Sequence, residues 1–381
     1  MRTERKSIKP RKLKFAIYSM VPCIVLMVLA EVTVRVLGLA KPALLTVPLT
    51  EEEYGVLQAD ALLFWSNAPG INKQERFPWV RDPMRISTNS QGTRGSEIGT
   101  KSENEYRILS LGESTTFGVF VSDEETYSAR LEQMLNTFED GTNYRVINAG
   151  VSAYSSFQSL KFLKVRGLNL RPDMVLFYHE LNDYLPTSLR SGGNNEIGLG
   201  MTDKQLYESR RGIVSRHLTA NSALLRFLIF RRARSQLDEF KKSLGSDRAR
   251  EIGLPRIGAR PRLVDNQDRK TLSSVNHESL PRRVSAEERK QILAELHQLC
   301  KSEGVRLVMI HPSYAHTVAH ECILTRFCRA NNVAMFEAHQ VLHPVGVPIN
   351  NVYIDVGHPT AEGHDRLARA LTHYIRTLLQ Q

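Results

Sequence analysis

The chain has 381 residues, of which 41% are hydrophobic, so it can form one large domain or two ordinary ones around a substantial core. Its formal net charge is +11 at pH 7. Such a charge is one property of nucleic-acid-binding proteins, but no recognisable nucleic-acid-binding module accompanies it here. We therefore expect no nucleic-acid partner.

The N-terminus combines a basic tail with an apolar stretch. Residues 1–14 contain seven Lys or Arg and one Glu, and no residue from Phe15 to Ala30 is charged. As a helix at ~1.5 Å per residue this stretch measures about 24 Å, less than the ~30 Å hydrocarbon core of a bilayer. Extension to residue 39 closes the gap and includes Glu31 and Arg35, which lie four residues apart and can pair.

The pattern predicts a cytoplasmic tail at residues 1–14 and a single transmembrane signal anchor at residues 15–39, with the N-terminus inside. The rest of the chain would then lie on the extracytoplasmic, periplasmic side of the cytoplasmic (inner) membrane. The alternative is a cleaved signal peptide with a site ending at Ala30 or Ala40. The charged pair at 31 and 35 falls where such a site should be small and neutral, which favours the uncleaved anchor.

Residues 40–104 are expected to form an extracytoplasmic N-terminal segment with little β structure. Within it, Met84–Asn89 is predicted as a short strand. Trp65, Phe77 and Trp79 are predicted to cover a surface of the main domain.

Residues 105–381 alternate between short apolar runs and helical patterns. The predicted strands are Arg107–Leu111, Tyr144–Asn148, Met174–Tyr178, Val305–Ile310 and Val333–Phe336. The predicted helices are Glu124–Thr137, Ser155–Val165, Ala286–Ser302, Glu321–Ala330 and Ala361–Leu379. This alternation predicts an α/β fold, a three-layer α/β/α sandwich with a parallel, flavodoxin-like sheet.

An insertion at about 187–285 interrupts the alternation. Asn221–Lys242 is predicted to be a helix with both apolar and basic residues. This suits a helix that rests on anionic lipid or caps the active site, and a solvated helix packed on the core explains it equally well. Residues 243–283 have little periodicity and are predicted to be flexible.

The cysteines carry little functional information. Cys23 lies in the predicted span, and the outer part has Cys300, Cys322 and Cys328. An odd number allows at most one disulfide, between Cys322 and Cys328 or between Cys300 and either of them. No Cys/His spacing fits a zinc site, so we expect no metal.

A candidate nucleophilic serine lies where the first predicted strand of the domain ends. Gly112-Glu113-Ser114 follows that strand, and the turn would expose the Ser114 hydroxyl at the carboxyl edge of the sheet, beside a helix N-terminus. Near the C-terminus, Asp355 and His358 could supply a base and the carboxylate that orients it.

With these residues the chain resembles the SGNH/GDSL hydrolases. Four short blocks occur in the family's order: Gly112-Glu113-Ser114 with Gly118, Asn148-Ala149-Gly150, Asn182-Asp183, and Asp355 with His358. The resemblance implies a Ser114 nucleophile, a His358 base oriented by Asp355, and no cofactor. It also implies an oxyanion hole formed by the backbone N–H groups of Ser114 and Gly150 and the side-chain amide of Asn182.

Two positions depart from the family pattern. Glu113 replaces the more usual Asp, and its longer side chain could still accept hydrogen bonds near the turn. Glu180 stands where the family often has Gly, and with His179 it is expected to line the cleft. His311 and His364 are expected to have structural rather than chemical roles.

Three functions are compatible with this sequence. The first is a serine ester hydrolase that removes O-acetyl or other acyl groups from an envelope glycan or glycolipid. The second is an O-acyltransferase that uses the same triad, and the third is a non-catalytic glycan-binding or assembly protein. The intact triad argues against the third. Expected partners are an acylated glycan or glycolipid, the membrane through the N-terminal helix, and envelope polysaccharide machinery.

Overall fold

A computed structural model describes residues 10–40, 55–76, 83–185, 188–190, 196–198, 200–229, 231–232, 235, 282–315, 321–355 and 357–380. The predictions for Phe77 and Trp79, and almost all of the stretch 243–283 predicted to be flexible, lie outside the described residues.

The bounds of the secondary structure elements are as follows. The strands are β1 (Leu57–Asp60), β2 (Phe64–Asn67), β3 (Asn72–Glu75), β4 (Met84–Ser87), β5 (Glu105–Gly112), β6 (Asn143–Gly150), β7 (Met174–Tyr178), β8 (Ser188–Arg190), β9 (Glu196–Gly198), β10 (Arg306–His311) and β11 (Ala334–Glu337). The α-helices are α1 (Pro10–Val36), α2 (Ser114–Phe117), α3 (Tyr127–Leu135), α4 (Ser156–Val165), α5 (Leu181–Tyr184), α6 (Asp203–Glu208), α7 (Arg210–Asn221), α8 (Ala286–Ser302), α9 (Ile323–Asn331), α10 (His339–Leu342), α11 (Ile349–Val352) and α12 (Ala361–Leu379).

A five-stranded sheet in the order β11-β10-β7-β5-β6 forms the centre of the domain, and every neighbouring pair in it is parallel. In the register, Gly112 of β5 lies opposite both Gly150 of β6 and Tyr178 of β7. The carboxyl ends of these three strands are therefore level, and the loops that follow them start at one edge of the sheet.

Each face of the sheet is covered by helices. Leu109 of β5 belongs to one buried core with Leu293 of α8, and its neighbour Ile108 belongs to a second core with Leu371 of α12. Adjacent strand residues point to opposite faces, so one apolar run supplies both cores. Burial of each such side chain contributes about 1.5–3 kcal/mol. The predicted three-layer α/β fold is confirmed.

The segment before the sheet has more β structure than the sequence indicated. Strands β1 and β2 pair antiparallel, as do β3 and β4, so the expectation of little β structure was wrong. Trp65 on β2 is buried, and its indole N–H donates to the Ser152 carbonyl at 3.0 Å. Its predicted packing on the main domain is confirmed.

The insertion contains helices that the sequence analysis did not predict. α6 begins with a capping box formed by Thr202 and Gln205, which is a helix-start signal in the local sequence. The predicted helix from residue 221 to 242 is helical over residues 223–229, and the structure describes its later part only in fragments. Cys300, Cys322 and Cys328 are free thiols, so none of the predicted disulfide pairings is present among them.

Gly150 allows β6 to approach the nucleophile helix closely. A Cβ added at this position would lie 2.2 Å from the backbone nitrogen of Phe117 and 2.7 Å from the carbonyl carbon of Thr116. Both atoms belong to backbone and cannot move aside as a flexible side chain could. The absence of a side chain at Gly150 therefore serves packing of β6 against α2.

We predict that Gly150→Ala destabilises the fold by about 1–3 kcal/mol, the usual cost of overpacking a well-packed core. Urea unfolding of the purified protein would measure the change. Gly99→Ala is the matched control, because a Cβ added at Gly99 meets nothing within 4 Å. Equal unfolding midpoints for the two variants would contradict the packing argument.

Candidate active site

The turn after β5 presents Ser114 as the first residue of α2. Glu113 is in extended conformation, and α2 ends at Phe117 before Gly118, whose φ of 84° lies in the left-handed region. The Thr115 hydroxyl donates to the Gly357 carbonyl at 2.9 Å, which ties α2 to the loop that carries His358. The backbone N–H of Ser114 donates no hydrogen bond to any residue that the structure describes.

Ser114, His358 and Asp355 form one hydrogen-bonded chain. His358 Nε2 lies 2.9 Å from Ser114 Oγ, and His358 Nδ1 lies 2.7 Å from Asp355 Oδ2. The other oxygen, Asp355 Oδ1, accepts the backbone N–H groups of Gly357 and His358, each at 2.8 Å. The carboxylate thus favours a hydrogen on Nδ1, so that Nε2 can act as the acceptor of the serine proton.

The carboxylate of Asp355 is held in its charged form. Burial alone would raise its pKa, but the adjacent His358 and the two backbone N–H donors outweigh burial and keep the pKa below its ordinary value. A charged Asp355 at neutral pH can stabilise a protonated His358.

Phe120 is a residue of this site that the sequence did not reveal. Its ring lies edge-on to the His358 ring, with 5.3 Å between the centroids. The Phe120 backbone has a φ of 73°, a region that non-glycine residues seldom occupy. The strained turn places an apolar wall beside the imidazole, and no local sequence pattern predicts such a turn.

Asn182 lies on α5, directly beyond the end of β7. One of its side-chain N–H groups donates to the Tyr154 carbonyl at 3.1 Å, which fixes the amide against the loop that follows β6. The second N–H group of the amide has no partner among the described residues. Asn182 as a whole is largely buried, at 7% exposure.

The Gly150 amide differs from what the sequence led us to expect. Its N–H donates to Asn148 Oδ1 at 3.0 Å and is therefore already paired. Three residues further along, Ala153 has a φ of 62°, and its N–H donates no hydrogen bond within the described part of the chain. Ala153 immediately precedes Tyr154, whose carbonyl accepts from Asn182. No sequence signal marks Ala153, since alanine seldom adopts this conformation.

Glu113 connects the nucleophile turn to two other loops. Its carboxylate accepts the Asn182 backbone N–H at 3.2 Å and the Tyr314 hydroxyl at 3.1 Å. The Tyr314 oxygen in turn accepts the Leu181 N–H at 2.8 Å. The expectation that the longer side chain still serves as an acceptor is confirmed. Burial, followed by the charge of Asp183, raises the pKa of Glu113 to about 7.

Asp183 is part of a buried ion pair beneath the loops. Its carboxylate pairs with Arg289 of α8, and both side chains are 1% exposed. Asp183 also accepts the Ser156 backbone N–H at the start of α4, while Arg289 donates to the His179 carbonyl. A buried pair of this kind contributes geometry more than net stability, because desolvation offsets most of the attraction.

A second buried arginine, Arg283, holds the loop after β6. It donates to the Ala153 carbonyl at 2.7 Å, to Gln158 Oε1 at 2.8 Å and to Asp203 of α6 at 2.7 Å. The end of the insertion thus reaches the site and fixes the peptide that follows Ala153. Sequence reasoning placed no role on this residue.

His179 does not line a cleft as the sequence suggested. Its side chain is fully buried, with Nε2 lying 2.7 Å from Ser159 Oγ, and Glu180 is 4% exposed. Burial lowers the pKa of His179 well below its ordinary value, so the ring is neutral.

His311 and His364 have the structural contacts expected of them. His311 Nδ1 lies 2.6 Å from Glu337 Oε2 across β10 and β11. His364 Nδ1 accepts the Tyr127 backbone N–H at the start of α3, and burial lowers the pKa of His364 to about 3. Neither imidazole is bonded to Ser114 or Asp355 in the described structure.

No protein-family model matches this chain, and no curated protein sequence matches it. Solved structures similar to it include a lipolytic protein of the G-D-S-L family from Desulfitobacterium hafniense, with 11% identity, 70% of this chain and 98% of that chain covered, and a TM-score of 0.38. The esterase EstA from Pseudoalteromonas has 10% identity, coverage of 72% and 99%, and a TM-score of 0.40. An acetylxylan esterase from Geobacillus stearothermophilus has 13% identity, coverage of 71% and 94%, and a TM-score of 0.39.

These TM-scores lie below 0.5 and the identities below 25%, so the likenesses carry no weight for activity or substrate. The resemblance to the SGNH/GDSL hydrolases rests on the four sequence blocks and on the sheet edge at which the first three of them meet. The fourth block joins them through the His358–Ser114 hydrogen bond.

The raised pKa of Glu113 predicts a pH dependence of stability. Between its ordinary value of 4.5 and the folded value of about 7, the folded state holds a proton that the unfolded state has lost. Stability therefore falls as the pH rises through this window, by about 3 kcal/mol in total. Glu113→Gln mimics the protonated form and should lack this fall.

Urea unfolding at pH 5 and pH 8 would measure this difference. The difference in free energy of unfolding between wild type and Glu113→Gln should change by about 2–3 kcal/mol between pH 5 and pH 8. Glu287→Gln, on the exposed surface of α8, is the matched control and should follow wild type. Parallel stability curves for Glu113→Gln and wild type would show that Glu113 does not titrate in this window.

Proposed function

We propose that this protein is a serine ester hydrolase of the SGNH/GDSL type, with Ser114 as nucleophile, His358 as base and Asp355 as its orienting carboxylate. The observation that carries the proposal is the unbroken hydrogen-bond chain from Asp355 through His358 to Ser114 Oγ. Its distances match those that nucleophilic catalysis by serine requires.

In the first half of the reaction, His358 Nε2 takes the proton from Ser114 Oγ as that oxygen attacks the ester carbonyl carbon. The carbonyl π bond opens to give a tetrahedral intermediate with a negatively charged oxygen. When this intermediate collapses, the bond to the leaving alcohol breaks and His358 returns the proton to that alcohol. Water then attacks the acyl-Ser114 ester by the same steps, which releases the acid and restores the hydroxyl.

The negatively charged oxygen needs donors that are free before the reaction, each contributing about 2.7–4 kcal/mol in such sites. We assign the Ser114 N–H and the unpaired N–H of the Asn182 side chain to this role. The sequence assigned the third donor to Gly150, but its N–H is bonded to Asn148. The unpaired N–H of Ala153, on the loop that follows β6, is the better candidate.

For the substrate we propose O-acetyl or another acyl group on an envelope glycan or glycolipid. α1 contains a span, Tyr18–Val36, that is long and apolar enough to cross a membrane, and 6% of it is buried against the rest of the protein. We propose that it anchors the chain in the cytoplasmic membrane with its basic N-terminus inside. The catalytic domain would then lie in the periplasm, beside the machinery that assembles envelope polysaccharides.

We predict that a fluorophosphonate probe labels the full-length protein at Ser114. Ser114→Ala should abolish labelling, and Asp355→Asn should reduce ester hydrolysis by about 10⁴-fold because the imidazole loses its orienting partner. Ser302→Ala, on the exposed end of α8, is the control and should label like wild type. Labelling that persists in Ser114→Ala would exclude the serine mechanism.

The identity of the acyl acceptor, water or a sugar hydroxyl, requires a separate measurement. Acetate release from an acetylated glycan, with and without an added acceptor sugar, distinguishes a hydrolase from an O-acyltransferase with the same triad. Hydrolysis predicts free acetate at the same rate in both conditions. Transfer predicts acetylated acceptor in place of free acetate.

A further inference from the structure

The outer end of α1 is bonded to the insertion. The Glu31 carboxylate accepts hydrogen bonds from the backbone N–H groups of Ala223 and Leu224, at 2.7 and 2.8 Å, and from the Ser222 hydroxyl at 2.9 Å. Arg35 donates to Glu31 at 2.7 Å and to the Asn221 carbonyl at 2.7 Å. The charged pair near the end of an apolar helix thus has a specific partner.

The contact is physically favourable on both sides. Residues 223–229 are helical, and the first N–H groups of a helix have no partner within it and carry partial positive charge. The Glu31 carboxylate satisfies two of these groups, while Arg35 binds the carbonyl that ends α7. α1 therefore holds α7 and the following helix through Glu31 and Arg35, near the C-terminal end of its apolar stretch.

Beyond residue 39, past α1 and the two leucines that follow it, the same segment carries most of the large exposed apolar side chains that the structure describes. Those side chains are Leu62, Ile213, Val214, Leu218, Leu228 and Val345. Four of the six lie in residues 210–229, which we call the docked segment. Leu62 lies beside it, because the carbonyl of the preceding Ala61 accepts a hydrogen bond from Arg216 at 3.0 Å.

The apolar surface of α1 continues onto the docked segment. Among the described side chains of α1, Val34 alone is fully buried, and most of the rest are exposed. Val34 lies one turn from Ala30 and Glu31, so α1 turns a single narrow face to the domain. Its remaining apolar surface would contact lipid, and the docked segment is bonded to α1 at Glu31 and Arg35, near the end of that surface.

Basic residues border this surface. Arg231 and Arg232 are exposed just beyond the docked segment, and the Arg231 guanidinium lies 5.8 Å from the centre of the Phe227 ring. Arg216 fastens the segment to the main domain by stacking on Tyr207 at 3.8 Å. Exposed apolar side chains beside cations are typical of helices that lie in the headgroup region of an anionic bilayer.

We propose that the docked segment lies in the headgroup layer of the bilayer that α1 crosses, on the side of the catalytic domain, and holds that domain against the membrane. The partner is the lipid surface. The proposal rests on the proposed membrane location of α1, and it is independent of the chemistry at Ser114. A domain held in this way would act on acyl groups carried close to the bilayer.

The test uses full-length protein in nanodiscs of phosphatidylethanolamine and phosphatidylglycerol. In a Cys23→Ser background, Leu218→Cys and Leu228→Cys are labelled with the fluorophore NBD, and Val345→Cys, at an exposed apolar position outside the docked segment, is the control. Labels at 218 and 228 should emit at a shorter wavelength than a label exposed to water, and lipids spin-labelled near the headgroup should quench their fluorescence. The label at 345 should show neither effect, and labels at 218 and 228 that behave like it would overturn the proposal.

A label on native Cys23 tests whether α1 crosses the bilayer, separately from whether the docked segment lies in the headgroup layer. Quenching of that label by lipids spin-labelled deep in the chain region reports the anchor alone. A quenched Cys23 label together with water-exposed labels at 218 and 228 would refute the docked segment and leave the anchor standing. Water exposure at Cys23 would refute both, and Ser114 labelling by a fluorophosphonate would still report on catalysis separately.

Glu31→Ala tests the bond that holds the segment. The substitution is made in both labelled forms, Leu218→Cys in the Cys23→Ser background and the protein labelled at native Cys23. The label at 218 should lose its quenching, because the carboxylate that binds residues 222–224 is gone, while the label at Cys23 stays in lipid. Unchanged quenching at 218 would contradict the role given to Glu31.

Discussion

The level carboxyl ends of β5, β6 and β7 are the constraint on which the rest of the site depends. Because Gly112 lies opposite both Gly150 and Tyr178, the three loops that follow begin at one edge and meet within hydrogen-bonding distance. Close contact of α2 with this edge requires glycine at both positions: a Cβ at Gly112 would overlap the Thr116 side chain, as one at Gly150 would overlap backbone. Packing thus decides where the Ser114 hydroxyl lies.

Beneath this edge, buried charges fix the loops to one another. Glu113 binds the loops after β7 and β10, Asp183 joins α5 to α8 through Arg289, and Arg283 joins the insertion to Ala153. Each buried charge costs desolvation energy that its partner only partly returns. What the network contributes is a fixed arrangement, since a loop that shifts would leave a charge unpaired. Donors held in this way need little reorganisation when a negative charge develops.

Sequence patterns predicted those elements of the fold that an apolar run or a helical periodicity defines by itself. β7, α8 and α12 have the predicted bounds, because an uninterrupted apolar run and helices with clear apolar periodicity define them. The four blocks also indicated Ser114, His358 and Asp355, which the structure joins by hydrogen bonds. Phe120, Ala153, Tyr314 and the arginines of the insertion could not be predicted, since their positions depend on contacts far apart in the chain. Gly150 illustrates the limit: its importance was apparent, but its role in packing required the position of α2.

We infer that Ser114 is a nucleophile served by hydrogen-bond donors at this sheet edge. A crystal structure of the protein after reaction with a phosphonate inhibitor tests it most directly, because the phosphonyl oxygen stands in for the negatively charged oxygen of the intermediate. We expect the phosphorus to be bonded to Ser114 Oγ. The phosphonyl oxygen should lie about 3 Å from the Ser114 backbone nitrogen, the Asn182 side-chain nitrogen and the Ala153 backbone nitrogen. Phosphorus bonded to another residue, or an oxygen directed away from Asn182, would contradict it.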